Sequence, residues 1–489
     1  MIKHRMPWFK RLLSKKQSAT QKNLARLFFT NTLSGTKELF VSQKAGLVLF
    51  YSCGPTVYGP IHIGNLRSFV FSDTIARTLQ QAGYRVHRVM NITDVGHMVG
   101  DGDRGEDKMS VGAKREKATP EEIADRFSKL FLDDIADLAI DTGDIEFPRA
   151  TAYIKEQIAL AKTLEEKGFA YRLPDGLYFD TQRFPNYGKL GGMSEAKLEA
   201  GARVEVLPGK HSPADFVLWR SAKPDDLQQW DSPWGRGNPG WHIECSAMIR
   251  ALLGQEIDIH SGGEDHVSTH HNNEIAQSEA ANGRTFVHYW MHNAFLTVGG
   301  EKISKSLGNV FYLSDIVAKG FHPLALRYFF LQAHYRTPLS FSWDALGASA
   351  SALTRLSKLS REVAEESGRV STSSEARVRF LAAMRDDLGT PQALGILWDA
   401  LKSEDYAPKE KWGLLEDADA HFGLSLTDPL PDAHTETNIP EHIQEMLARR
   451  GAARASGDFT EADRIRGDIE NSGYRVDDGP DGPTLERKA

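Results

Sequence analysis

Residues 47–51, Leu-Val-Leu-Phe-Tyr, form an unbroken apolar run closed by Cys53-Gly54-Pro55. A short apolar run ended by turn formers reads as a buried strand. Residues 64–81 follow with Leu66, Phe69, Ile75 and Leu79 at roughly helical spacing, and Gly83 is a natural helix stop. Residues 86–92 read as the next strand. Strand, loop, helix and strand in that order open a doubly wound parallel sheet, and this unit constrains the fold more than any other feature of the chain.

The rest of the chain supplies the other elements. Thr119-Pro120-Glu121-Glu122 is a capping box with proline at the first helical position, and predicts a helix to about residue 138. A second helix is predicted over 150–167, closed by Gly168, and a hairpin over 170–180 around Pro174-Asp175-Gly176. From there to residue 231 the chain is rich in glycine and proline and reads as an insertion. A strand is expected at 256–260 and a helix at 272–281, stopped by Gly283. After Pro323 the pattern is mostly helical, with linkers at 367–374 and 427–439. The tail predicts helices at 440–456 and 460–472 and a strand at 474–476. The expected class is therefore α/β. A Rossmann-like doubly wound domain spans 27–320, with an insertion at about 141–230; a helical bundle covers 321–430; a small α/β domain closes the chain at 438–489.

Composition narrows what such a chain does. At 489 residues, 40% hydrophobic and 26% charged, it has material for several domains with real cores. No apolar run approaches the roughly 20 residues that span a bilayer. The net charge of −7 means that any nucleic-acid contact rests on local patches. Residues 1–37 hold many Lys and Arg and no Asp or Glu. We read 1–26 as a basic extension on a cytoplasmic protein, with an organellar leader as the alternative.

His62-Ile63-Gly64-Asn65 lies at the turn between the first strand and its helix. Backbone N–H groups at a helix N-terminus bind phosphate, Gly64 lets a ligand approach the backbone, and His62 and Asn65 add donors. Far along the chain, Lys302-Ile303-Ser304-Lys305-Ser306 follows a Gly299-Gly300 turn. Two lysines flanked by hydroxyls suit a triphosphate whose pyrophosphate gains charge as it leaves. Together the two segments resemble the HIGH and KMSKS signatures of class I aminoacyl-tRNA synthetases. Asn65 stands where the signature has its second histidine, and Ile303 where it has methionine; Asn keeps a neutral donor, and the second change is apolar for apolar.

Only two cysteines are present, Cys53 and Cys245. His270 and Glu274, four apart at the start of a predicted helix, share one face. Two thiolates, an imidazole and a carboxylate suit a tetrahedral zinc ion. His260, His266 and His271 compete for the histidine position, and spacing leaves His271 open.

Residues 53–58 (Cys-Gly-Pro-Thr-Val-Tyr), the HIGN turn, Asn91-Ile92-Thr93-Asp94, and the stretches 240–248, 270–277 and 301–309 together resemble the cysteinyl-tRNA synthetase family, from about residue 27 to the end of the chain. That resemblance implies one Zn²⁺ per chain on Cys53, Cys245, His270 and Glu274. It also implies an amino-acid pocket lined by Thr56, Thr93 and Trp241, and an ATP site with Mg²⁺ that uses His62, Gly64, Asn65, Lys302, Ser304 and Lys305. The implied partners are L-cysteine, ATP and tRNA(Cys), with no membrane and a monomeric enzyme. It further implies that the tail binds the anticodon, through Arg449, Arg450, Arg454, Arg464 and Arg466, although the tail lacks the tryptophan expected near its end. Two other readings share parts of this pattern. A ligase joining cysteine to an amino sugar would need no anticodon-reading tail, and a non-catalytic tRNA-binding relative would be free to lose Lys302, Lys305 or the zinc ligands.

Overall fold

The protein is described here by a computed structural model covering residues 24–96, 108–192, 209–224, 226–303, 307–428, 441–471, 474–479 and 482–487. An antiparallel hairpin, β1 (Phe28–Asn31) and β2 (Thr36–Leu39), precedes the predicted strand, which is β3 (Leu47–Ser52). Helix α1 (Ile63–Gln81) and strand β4 (Arg85–Met90) complete the predicted unit. The β4 strand is shorter than expected, because Ile92 and Thr93 leave the ladder to bridge Arg149 and Thr56. Helix α2 (Lys108–Glu116) precedes α3 (Pro120–Asp137), where the Thr119 capping box forms with both reciprocal hydrogen bonds. Strand β5 (Ile145–Glu146) is the short far edge of the main sheet. The helix predicted at 150–167 starts as a 3-10 turn, Ala150–Tyr153, and becomes α4 (Ile154–Glu166).

The glycine- and proline-rich stretch holds more order than its composition suggested. Strands β6 (Ala170–Leu173), β7 (Gly176–Phe179), β8 (Phe216–Ser221) and β9 (Gly237–Pro239) form an antiparallel sheet. It leads into α5 (Trp241–Leu252), β10 (Ile257–Gly263), α6 (His270–Asn282) and β11 (Val287–Asn293). The main sheet runs β11-β10-β3-β4-β5 with every neighbour parallel. Alternation along β3 serves two cores. Val48 and Phe50 pack with Phe71, Ile75 and Leu79 of α1, while Leu49 and Tyr51 join Ile243, Ala247, Ile275 and Ala276 of α5 and α6. The β1–β2 hairpin covers the β11 edge, where the Asn31 side chain donates to His288 O and accepts from Trp290 N–H.

Beyond β11 come β12 (Leu296–Val298), β13 (Glu301–Lys302), α7 (Leu313–Ala318), α8 (Pro323–Leu331) and β14 (Leu339–Phe341). β12 pairs with both β13 and β14 in a small sheet that the sequence reading missed. Helices α9 (Trp343–Ser367), α10 (Glu375–Arg385), α11 (Thr390–Lys402) and α12 (Pro408–Phe422) pack around Leu356, Phe380, Leu397 and Leu415, with the predicted linker between the first two. The second expected linker lies, from 429 on, outside the described residues. The tail holds α13 (Glu441–Ala455), α14 (Phe459–Asn471), β15 (Tyr474–Gly479) and a second strand, β16 (Gly482–Arg487), that was not expected. Its small core is Ile443, Ile465, Ile469 and Val476.

One buried carboxylate ties these parts together. Asp73, 1% exposed on α1, accepts from Arg327 Nη2 at 2.6 Å, Arg77 Nε at 2.6 Å and Arg88 Nη1 at 3.4 Å. Arg327 also donates to Leu138 O and Phe422 O, carbonyls at the C-terminal ends of α3 and α12 that their own helices leave unpaired. Burial alone would raise the Asp73 pKa, but Arg327, then Arg77 and Arg88, hold it at about 2, below its ordinary 3.8. The sign follows from that depression: Asp73 stabilises the fold at neutral pH, and this contribution is lost as pH falls through the interval between those two values. We predict that Asp73→Asn lowers stability by roughly 3–5 kcal/mol, because it strands buried guanidinium groups. A urea titration of mutant and wild type at neutral pH checks this; unchanged midpoints would show that the network is ornamental.

Candidate active site

The main sheet reverses direction of growth between β3 and β10, and the crevice at the carboxyl ends of those strands is where ligands bind in such sheets. Cys53 follows β3 there, its N–H donating to Ser261 O of β10. Gly54 is forced to be glycine: a Cβ on it would sit 1.7 Å from Asn91 O. A buried chain of hydrogen bonds starts at this residue. Gly54 N–H donates to Asn91 Oδ1 at 2.9 Å, Asn91 Nδ2 to Thr93 Oγ1 at 3.0 Å, and Thr93 Oγ1 to Glu244 Oε2 at 3.0 Å. Glu244 precedes Cys245 on α5, so the chain fixes both cysteine-bearing segments relative to each other. Gly240 sets the start of α5, since a Cβ there would lie 2.1 Å from Val217 O.

Cys53, Cys245, His270 and Glu274 converge, their ligand atoms all within 4.8 Å of one another. His270 Nε2 is 3.0 Å from Glu274 Oε1, the one-turn geometry their spacing predicted. The ligand atoms of a second set, Cys53, His260, His271 and Glu274, also lie within 4.8 Å of one another. His271 Nε2 lies 3.3 Å from Cys53 Sγ, and its Nδ1 is 2.7 Å from His292 Nε2. His260 Nε2 is 3.1 Å from Glu274 Oε2. His266 belongs to neither set. The competition among histidines seen in the sequence is thus physically present in the fold.

The electrostatics suit a cation. Glu274 is fully buried; burial would raise its pKa, yet His260 and His270 pull it down to about 2. His270 is held up to about 10, against its own burial, by Glu274 and Cys245. The hydrogen bond from Cys53 brings the Cys245 thiol down to about 6, while burial and the neighbouring Cys245 push Cys53 up. Glu274 Oε1 is buried, lies 3.0 Å from His270 Nε2 and faces the cluster. His270 Nδ1 sits 2.9 Å from His242 Nδ1, and burial keeps His242 neutral, so this contact orients the His270 ring. Two sulfurs, one imidazole nitrogen and one buried carboxylate oxygen make a donor set that fits Zn²⁺.

Above this floor is a cavity of about 290 Å³, lined among others by Cys53, Thr56, His62, Asn65, Thr93 and Trp241. The Trp241 ring stacks on the His270 imidazole with centroids 4.3 Å apart. A smaller adjoining cavity of about 100 Å³ brings His62, Gly64 and Asn65 together with Lys302 and Ile303. His62 is the N-cap of α1, its Nδ1 accepting from Asn65 N–H at 3.3 Å. The Ile303 side chain closes on Gly64, where a Cβ would be 3.0 Å from its Cδ1. Both halves of the expected nucleotide site therefore meet, apart from Ser304 and Lys305, which lie outside the described residues. Sequence reasoning missed Asp265 and Glu244. Asp265 lines both cavities just past β10, where an acid at a strand's carboxyl end was a usable signal. Glu244 gave no signal, because only folding shows its buried bond to Thr93.

The fold and this site together define a class I aminoacyl-tRNA synthetase. Solved relatives share the fold: a methionyl-tRNA synthetase of Mycobacterium tuberculosis aligns with TM-score 0.53 at 16% identity, over 78% of this chain and 90% of its own. A leucyl-tRNA synthetase of Agrobacterium radiobacter aligns with TM-score 0.57 at 12% identity, over 81% of this chain and 87% of its own. The family described as tRNA synthetases class I (C), catalytic domain, matches residues 39–351. Cysteine--tRNA ligase 1 of Burkholderia lata is 46% identical over 93% of this chain and 96% of its own length. The cysteine--tRNA ligase of Chlorobium luteolum is 42% identical over 94% and 99%. The chain belongs to the cysteine--tRNA ligases, a family of aminoacyl-tRNA ligases.

We predict that Gly54→Ala displaces Cys53 and destabilises the fold by at least about 1–3 kcal/mol, the usual cost of overpacking. Thermal unfolding together with thiol labelling of Cys53 and Cys245 checks it. Wild-type stability and labelling rates would mean that the loop relaxes freely.

Proposed function

We propose that this chain activates L-cysteine with ATP and Mg²⁺ and transfers it to the 3′ end of tRNA(Cys). The observation that carries this reading is the meeting of the chain's only two cysteines with His270 and Glu274 beneath the cavity bounded by the HIGN turn. In the first step the cysteine carboxylate attacks the α-phosphorus, the bond to the β-phosphate breaks, and pyrophosphate leaves. The N-terminus of α1, with His62, Gly64 and Asn65, holds phosphate oxygens, and Lys302 and Lys305 neutralise the charge that grows on pyrophosphate. In the second step the terminal ribose hydroxyl of tRNA attacks the carbonyl carbon of the adenylate, AMP departs, and the hydroxyl proton is lost. Cys53, Cys245, His270 and Glu274 would hold Zn²⁺, which when bound favours a thiolate over an alcohol. Thr56, Thr93 and Trp241 shape the pocket around the rest of the amino acid, and His242 keeps the His270 ring turned toward the cluster. Among the described residues no helix is long and apolar enough to cross a membrane.

Cysteine and serine differ by one atom, which ordinary pocket contacts separate poorly. The expected result is therefore ATP–pyrophosphate exchange with cysteine and negligible exchange with serine, alongside one tightly held zinc per chain. Cys245→Ser should lose metal and cysteine binding together. Activity without metal, or serine exchange equal to that of cysteine, would refute this selection.

The tail is assigned to the anticodon by resemblance, and its surface qualifies that role. Arg450 is 3% exposed, and Arg464 and Arg466 pair within α14 with Glu461, Asp468 and Glu470. Exposed pairs of this kind are worth little and exchange readily for phosphate or base contacts. Truncation after Asn438 should leave pyrophosphate exchange nearly intact and lower kcat/KM for tRNA charging about tenfold or more, as loss of one or two good contacts does. Equal charging by truncated and full-length protein would return the amino-sugar ligase reading.

A further inference from the structure

The two halves of the nucleotide site come from segments far apart in the chain, and one side chain spans them. Arg67 lies on α1, five residues past the N-cap His62, and is 3% exposed. Its guanidinium reaches five backbone carbonyls. Nη1 donates to Ala294 O and Phe295 O, each at 2.8 Å; Nη2 donates to Thr337 O at 2.7 Å and more weakly to His334 O and Tyr335 O at 3.4 and 3.5 Å. Residues 294–295 are the root of β12, and residues 334–337 the root of β14. Those two strands pair in parallel, and the β12–β13 hairpin carries Lys302. Arg67 thus grips both bases of the sheet that presents the lysine.

Phe295 is the link to the chemistry. Its carbonyl is held by Arg67, and its N–H donates to Glu264 Oε1 at 2.7 Å. With the backbone fixed on both sides, its ring lies under the Lys302 ammonium, 5.0 Å from ring centroid to Nζ. Phe295 and Lys302 line the same small cavity as His62, Gly64 and Asn65. An ammonium over an aromatic face loses wandering freedom, so it arrives at the phosphates already placed.

We propose that Phe295 is the seat of Lys302 and that Arg67 fixes this seat to the helix that carries the HIGN turn. Both are positioning residues for pyrophosphate departure, acting through Lys302. This rests on the nucleotide-site reading proposed above. Lysine cannot replace Arg67, because a single ammonium cannot reach carbonyls of two chain segments in one plane. Leucine cannot replace Phe295, because it keeps bulk and loses the negative face of the ring.

The test is steady-state ATP–pyrophosphate exchange on the full chain, with zinc content measured in each preparation. Phe295→Leu should lower kcat about 3- to 30-fold, the range set by a lost cation–π contact. KM for cysteine and zinc content should stay at wild-type values, and Phe295→Tyr should restore kcat to within about threefold, since a phenol ring keeps the negative face. Arg67→Lys should lower kcat about tenfold or more through misplacement of the same lysine; Phe295→Leu keeps the test decisive if that variant fails to fold. Wild-type kcat in Phe295→Leu, with Lys302→Ala slow, would overturn the seat and leave the nucleotide site standing. Wild-type kcat in Lys302→Ala would overturn both. A fall in Phe295→Leu that Phe295→Tyr does not restore would assign the ring a packing role only and overturn the seat.

Discussion

The Asp73 carboxylate is the point on which the architecture turns. It sits in the middle of α1, behind the sheet and far from solvent, with both oxygens occupied by arginines. Through Arg327 it reaches the ends of α3 and α12, and through Arg77 the carbonyl of Ala139. A buried charge tolerates only a narrow set of arrangements, because a displaced partner leaves it uncompensated. The helix that presents the HIGN turn is therefore held in register against both the segment before the insertion and the helical region after it. An apolar contact of the same area would bind these parts without fixing their alignment so sharply.

What the sequence made legible was local. An apolar run stopped by Gly-Pro, a capping box and helix-ending glycines announce themselves within a few residues, and those elements appear within one to three residues of their expected bounds. Cys53, Cys245, His270 and Glu274 were legible for a different reason: rare residue types in separate motifs, with one pair at helical spacing. The same logic explains why His271 could not be dismissed. Positions three and four apart on a helix both face Glu274, and in the fold both imidazoles approach it, at 3.9 and 3.0 Å.

What stayed hidden was non-local. The β12–β14 pairing joins three-residue strands about forty residues apart, and no periodicity develops over so short a run. Arg67 reads in sequence as an ordinary polar helix residue. Only the approach of two distant loops shows that its Nη1 and Nη2 meet five carbonyls rather than water. The chain from Gly54 through Asn91 and Thr93 to Glu244 is similar: each residue is unremarkable alone, and the hydrogen bonds between them exist only once β3, β4 and α5 share a crevice.

The two faces of the main sheet then differ in what they bury. On the α1 side, both Asp73 oxygens accept from arginines and the arrangement favours stability. On the α5 and α6 side, the ligand atoms of Cys245, His270 and Glu274 gather with that of Cys53 within 4.8 Å of one another. Arg67 is buried on the α1 side, with Nη1 and Nη2 both engaged by backbone carbonyls. It belongs to the rigid half by its hydrogen bonds and to the reactive half by what those bonds hold in place.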